Sequence, residues 1–121
     1  YDEQGEIRGI LDWEMTHIGD PLEDLGWSLN HIWCYGKDQR RGGLLMRDKA
    51  IKVWEEASGL TADPAAIDWW ELFATVKAQA LWVSAAHNWS NSEKPELIHA
   101  FTAWCAITTQ DRIALELMER L

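Results

Sequence analysis

The apolar positions of this chain change their rhythm once, near residue 20. Before that point, Ile7-Arg-Gly-Ile-Leu11 is a short block rich in branched side chains, which predicts a strand. Glu3-Gln4-Gly5-Glu6 supplies a turn and Tyr1-Asp2 the stump of a partner, so residues 1–12 read as the end of a β-hairpin. A lone hairpin is marginal in water, and this one is expected to need neighbours. After residue 20 the spacing becomes helical. Asp20-Pro21-Leu22-Glu23 is a helix start: Asp20 can cap free backbone N–H groups, Pro21 suits the first helical position, and Glu23 completes an Asp-x-x-Glu capping box. This helix is expected to run to about Trp33, with Gly36 as punctuation.

Lys37-Asp-Gln-Arg-Arg-Gly-Gly43 is polar and glycine-ended, and reads as a loop. A second helix is predicted over about 44–58, where Met46, Ala50, Val53, Ala57 and Leu60 recur at steps of three and four and Gly59 marks the stop. After Thr61-Ala-Asp-Pro64, a long helix is predicted from Ala65 to about Asn88. Its main stripe is Trp69, Phe73, Val76, Ala80, Val83 and His87. Ser90-Asn-Ser-Glu-Lys-Pro95 breaks it, and a last helix runs from near Pro95 to the C-terminus with Leu97, Phe101, Trp104 and Thr108 on one side. The fold class is therefore mainly α: a short N-terminal hairpin remnant followed by four helices, with no internal repeat.

Composition narrows the function classes. The 121 residues fit one domain, and a hydrophobic content of 47% is that of a globular chain. A net charge of −9 lacks the basic footprint that nucleic acid or an anionic membrane would need. No apolar run is long enough to span a bilayer, and no signal peptide is recognisable. Cys34 and Cys105 have no metal-ligand spacing and read as small apolar residues in a reducing, cytoplasmic setting. The nine Trp are expected mostly to build core, with a few free to line a pocket; for Trp69, Trp70, Trp82 and Trp89 on the long helix, helical spacing alone says core.

The chemistry concentrates where the rhythm changes. Asp12 ends the apolar strand and begins a turn, a place from which a carboxylate can project into a cleft. Phosphoryl transfer needs an acidic ligand for the Mg²⁺ that bridges nucleotide phosphates, because its catalysis is positioning plus charge neutralisation. Asp12 could equally cap a turn. The apolar strand before it and Gly19-Asp-Pro-x-x-Asp24 after it favour the metal role. Elsewhere the signals are weak. His31 and Cys34 lie one helical turn apart, but two ligands do not make a zinc site, and His17, His87 and His99 show no paired spacing. Ser28, Ser84 and Ser90 have no nucleophile-elbow context. Lys37, Arg40 and Arg41 could touch a phosphate, although a solvated loop explains them as well.

Gly9-Ile-Leu-Asp-Trp-Glu14 followed by Gly19-Asp-Pro-Leu-Glu-Asp-Leu-Gly-Trp27 resembles the aminoglycoside phosphotransferase and choline kinase-like family, most closely its acyl-CoA-dehydrogenase-associated branch. Trp70-Glu-Leu-Phe73 and Lys77-Ala-Gln-Ala-Leu-Trp82 are similar to a helix of the same branch. The resemblance implies part of the C-lobe of a protein-kinase-like fold, spanning residues 1–121, and an ATP- and Mg²⁺-dependent transfer of the γ-phosphoryl group to a small-molecule hydroxyl. It implies that Asp12 is the metal-binding aspartate and that Glu14, beside it, hydrogen-bonds a metal water. Asp24 would brace the catalytic loop from the helix, together with Asp20, which is better explained as a cap. Helices of the implied lobe also shape the acceptor pocket. The acceptor stays open between aminoglycoside, choline-like and hydroxyacyl compounds.

The departures from the family pattern are as informative. Its His-Gly-Asp catalytic loop with a nearby Asn, its phosphate-covering loop and its nucleotide-lobe lysine do not occur in these residues, and no Gly-rich phosphate motif replaces them. The expectation is therefore a C-terminal part of a larger enzyme, partnered by the missing N-terminal portion and inactive alone. The rival expectation is a non-catalytic helical interaction module derived from a kinase-like fold.

Overall fold

A computed structural model describes residues 1–34 and 38–121. Its order is α1 (Pro21–Leu29), a 3-10 turn (His31–Trp33), α2 (Arg47–Ser58), α3 (Pro64–Asn91) and α4 (Leu97–Met118). The four helices are those expected from the sequence. Their ends follow local chemistry. Asp20 caps α1, its carboxylate accepting from the Leu22 N–H at 2.8 Å, and Pro21 sits in the first turn. Asp63 and Pro64 repeat the arrangement at α3, where the Asp63 carboxylate accepts from the Ala66 N–H at 2.9 Å. Gly59 ends α2 in the left-handed region, at φ 73°, and its N–H bonds the Glu55 carbonyl.

The expected β-hairpin is not formed. A turn closes over Asp2–Glu6, where the Gly5 N–H bonds the Asp2 carbonyl and the Asp2 carboxylate accepts from the Gln4 and Glu6 N–H groups. Beyond that turn Ile7–Leu11 has no strand beside it, and Ile7, Ile10 and Leu11 are exposed. With nothing packed on either side, one turn cannot sustain a ladder. Among the described residues the β-content is one isolated bridge, Arg41 to Leu45.

Three boundaries also differ. α1 stops at Leu29 rather than Trp33, because Asn30 leaves the helix at ψ 131° and its side chain caps the following 3-10 turn through the Ile32 N–H. The expected punctuation at Gly36 and the loop position Lys37 lie outside the described residues. α2 starts at Arg47, three residues later than expected, because the Arg41 N–H bonds the Leu45 carbonyl and holds the preceding segment as a turn. α3 continues to Asn91.

The long helices α3 and α4 fold back on each other, so that Glu71 meets Arg120 and Thr75 meets Gln110. α1 lies across α3, and its Leu25 and Leu29 form a core with Ala62 and Ile67. Leu22, Ala50, Ile51 and Trp54 close that core from α1 and α2. The faces the helices bury are not the stripes expected from spacing. α3 buries Ile67, Glu71, Ala74, Thr75, Ala78 and Ala85, while Trp69, Phe73, Val76 and Val83 are at least two-fifths exposed. α4 buries Ala106, Gln110, Ile113 and Leu117 and leaves Leu97, Phe101 and Trp104 in solvent. α2 turns Ala50, Ile51 and Trp54 inward and leaves Val53 outside.

Gly26 explains part of this choice. A Cβ there would meet the Trp70 backbone carbon at 2.8 Å, so α1 and α3 approach backbone to backbone. Such an approach favours small residues on the receiving helix. The indoles accordingly sit at the margins: none of the nine Trp is fully buried, against the expectation that most would build core. Trp69 instead stacks on Phe73 at 5.4 Å, and Trp27 packs edge-on to Trp33 at 5.7 Å.

Two polar constructions lie inside. Asn30, Thr75 and Gln110 are buried together where α1, α3 and α4 meet. The Asn30 side-chain amide donates to the Thr75 hydroxyl at 3.3 Å, and the Gln110 amide donates to the Thr75 carbonyl at 3.2 Å. Beside them Arg47 donates to Glu71 at 2.7 Å and to Asp68 at 2.6 Å. Burial pushes the Glu71 carboxyl above its usual range, and Arg47 opposes the rise.

Candidate functional site

The segment that carries Asp12 and Glu14 is a loop that leads into α1. Asp12 has φ 70°, the single positive value outside glycine among the described residues. An L-residue enters this region at a steric cost, and aspartate is among the few that tolerate it. Immediately after it, the Trp13 indole N–H donates to the Ile10 carbonyl at 2.8 Å and the Thr16 N–H bonds the Trp13 carbonyl at 3.0 Å. The backbone reversal at Asp12 is thus fixed on both sides by local hydrogen bonds. Asp12 and Glu14 are both solvent-exposed.

The loop rejoins the helical body through His17. Its Nδ1 lies 3.0 Å from the Met15 carbonyl oxygen and its Nε2 lies 2.9 Å from the Glu23 carboxylate. Glu23 also accepts from the Lys77 ammonium of α3 at 3.1 Å, and Lys77 stands 5.8 Å over the Trp27 ring. This use of Glu23 corrects the expected capping box: its side chain reaches back to His17 rather than to the Asp20 N–H. The Met15 carbonyl, then the Glu23 carboxylate, raise the His17 pKa above its ordinary value. Hydrogen bonding to His17 lowers that of Glu23.

Of the four acidic positions singled out, the structure puts Asp12 and Glu14 on one loop, Asp20 at the cap of the helix behind it and Asp24 in that helix's first turn. Asp20 is engaged as the cap. Asp24 is exposed, and its carboxylate makes no hydrogen bond among the described residues. No group of three or more acidic, histidine or cysteine side chains could enclose a metal among the described residues. Asp12 and Glu14 offer two hard oxygen donors on an open face. That set fits Mg²⁺, which takes one or two carboxylates and completes its shell with water and phosphate oxygens. It does not fit zinc or calcium cages.

The weaker candidates resolve into structural roles. The Cys34 thiol accepts from Arg41 at 3.0 Å, and partial burial together with Arg41 and Arg112 lowers the His31 pKa. Arg40 is paired with Asp38 at 2.6 Å. Ser28 and Ser84 back-bond helix carbonyls, at 2.8 and 2.9 Å. What sequence reasoning missed is mostly long-range: the His17–Glu23–Lys77 relay and the Arg47–Glu71 pair. Gly26 did carry a local signal, since a glycine inside a helical pattern marks a close approach.

Fold and loop together define a helical domain that displays carboxylates ahead of a capped helix. The model of the phosphotransferase enzyme family matches residues 1–70, covering the acidic loop, α1, α2 and the start of α3. That is more than half of the 121 residues, and the chain belongs to this family. The match takes in the Gly9–Glu14 and Gly19–Trp27 motifs and stops before the Lys77–Trp82 segment. No curated protein and no solved structure gives a significant match.

Proposed function

We propose that the chain is the helical, C-lobe part of an ATP-dependent phosphotransferase that moves the γ-phosphoryl group to a small-molecule hydroxyl. The observation that carries this reading is the left-handed backbone at Asp12, φ 70°, at the position that the family resemblance gives to the metal aspartate. Strained backbone concentrates where a side chain must be aimed. Asp12 would hold Mg²⁺ directly, and Glu14 would accept from one of the metal's waters. Bound Mg²⁺ supplies charge neutralisation on the bridging phosphate oxygens. The chain's own contribution is to present that carboxylate: Trp13 pins the reversal, Asp20 caps the helix behind it, and Asp24 on the same helix turn is free to brace a catalytic loop. In this reading the catalytic aspartate and the phosphate-covering loop are supplied by another portion of the enzyme, as the kinase-like lobe arrangement implies. The acceptor is an aminoglycoside-, choline- or hydroxyacyl-type alcohol, the last matching the acyl-CoA-dehydrogenase-associated branch. A cytoplasmic setting fits a nucleotide-dependent reaction, and no described helix is long and apolar enough to cross a membrane.

The test is Asp12→Asn in the intact enzyme. Asparagine enters the left-handed region as readily as aspartate, so the loop is kept and the charge alone removed. Turnover falls by about a hundredfold or more, with the thermal unfolding midpoint nearly unchanged. Full activity in this variant would sink the assignment.

One observation favours a second reading, a non-catalytic helical interaction module. Trp104, Leu97 and Phe101 of α4 are 88, 79 and 63% exposed, a larger apolar display than a lone domain needs. Cooperative unfolding of the isolated chain at high solubility would support the module, and a loosely folded chain the lobe of an enzyme.

A further inference from the structure

We propose that His17 is a positioning residue: as an imidazolium it ties the acidic loop to α1, and it lets the loop go when it loses its proton. The argument rests on which atoms face its ring. Nδ1 lies 3.0 Å from a backbone carbonyl oxygen, Met15, and Nε2 lies 2.9 Å from a carboxylate oxygen, Glu23. Both neighbours only accept. A neutral imidazole has one N–H and one bare lone pair, so it can satisfy one of them and must turn a lone pair on the other. The charged ring satisfies both. Sequence position makes the two bonds a clamp, because one end holds the loop that carries Asp12 and Glu14 and the other holds the first turn of α1.

The surroundings are built for this clamp. Glu23 is anchored through its other carboxylate oxygen by Lys77 of α3, at 3.1 Å, so the carboxylate has a hold on the helical body besides the histidine. Gly19 passes close by: a Cβ there would meet His17 Nε2 at 3.0 Å and the Glu23 carboxylate at 3.1 Å. The charged groups that face the ring are Glu23 of α1, which favours the imidazolium, and Lys77 of α3, which opposes it from behind Glu23. The first outweighs the second, and the ring's pKa lies above 6.5. The sign follows. A group whose folded pKa is raised contributes its stability in full below the unfolded value of 6.5 and loses it as pH rises through the higher folded value. The loop is therefore held on the acidic side and freed on the alkaline side.

Its functional consequence rests on the reading of Asp12 as a metal ligand, but its test does not. Ring ¹⁵N shifts of His17 and heteronuclear NOE values of residues 12–17 are recorded at about pH 5.5 and about pH 8.5, either side of the histidine range. Neither readout uses metal or turnover, so failure here is separable from failure of the phosphotransfer reading. In the natural chain both ring nitrogens should be protonated at the lower pH, and the loop should lose order at the higher one. Glu23→Gln should bring the ring's pKa down toward 6.5. His17→Gln should be disordered at both pH values, and His17→Arg, which stays charged, should be ordered at both. A bare ring nitrogen at the lower pH, or loop order that ignores pH in the natural chain, would overturn the proposal without recourse to any variant.

Discussion

Replacing Gly26 with alanine sets two physical effects of opposite sign against each other. By helix propensity alone, alanine in the middle of α1 should stabilise by about 1 kcal/mol, since glycine gives up the most backbone entropy on folding. The structure says otherwise. The added methyl group would lie 2.8 Å from the Trp70 carbonyl carbon, 2.9 Å from its Cβ and 3.0 Å from its carbonyl oxygen. Carbon atoms rest at about 3.5–4.0 Å, so the shortfall is roughly 0.7 Å or more. The obstacle is the backbone of α3, which has no rotamer to change. α1 must back away, and a gap of that size forfeits a quarter to a half of the dispersion energy along the interface. Leu25 and Leu29 sit on the same face and lose contact with Ile67 together. Overpacking of this type costs about 1–3 kcal/mol, and a backbone clash belongs at the upper end. Set against the propensity gain, the net destabilisation is about 2 kcal/mol. Urea denaturation followed by helix ellipticity reads it directly. With m of about 1–3 kcal/mol per molar, the midpoint should fall by about 0.7–2 M at unchanged slope. A midpoint that rises would mean that propensity governs, and would refute the close α1–α3 approach.

Three other outcomes follow from the buried polar groups. Arg47→Ala leaves the Glu71 carboxylate, whose side chain is 3% exposed, with Arg120 at 3.7 Å and the more distant charge of Arg41; chemical denaturation should show a loss of about 3 kcal/mol, and a loss below about 1 would place Glu71 in solvent. Because burial raises the folded pKa of Glu71, its contribution to stability is fully present below 4.5 and is lost as pH rises through the folded value; Glu71→Gln should flatten that part of the stability–pH curve, and an unchanged curve would count against burial. Thr75→Val removes a hydroxyl that donates to the Glu71 carbonyl at 2.7 Å and accepts from Asn30, so thermal unfolding should report about 1–3 kcal/mol lost, whereas a neutral result would mean that Asn30 finds another acceptor.

The helices were legible because helix ends are local chemistry. Asp20 with Pro21, Asp63 with Pro64, and Gly59 each act within one turn of themselves, and a sequence window contains all that they need. Which face each helix buries was not legible. α3 carries apolar side chains nearly all round, so spacing alone does not single out one face, and the stripe through Trp69, Phe73 and Val83 is not the one buried. The interior took Ala74, Thr75 and Ala78 because α1 arrives with its backbone exposed at Gly26. That preference is a property of the pair of helices and belongs to neither sequence alone. The hairpin failed for a related reason: Ile7–Leu11 has strand composition, but a strand is stabilised by what lies beside it.

The acidic loop divides along the same line. Asp12 stood out in the sequence by its place between an apolar segment and a capped helix, and the structure puts it on an exposed loop there. Its left-handed backbone was not, since the residue type permits that conformation without requiring it. The relay behind the loop was hidden by distance, Glu23 and Lys77 being 54 residues apart. α1 is the element that connects the two scales. Its cap, Asp20, and its relay carboxylate, Glu23, face the loop, while Gly26, Leu25 and Leu29 seat it on α3. Whatever displaces α1 from α3 must also move Glu23 away from Lys77 and carry the His17 attachment with it. The His17 end of the acidic loop is thus tied to a helix that a close contact at Gly26 seats on α3, and Gly26 lies 14 residues beyond Asp12.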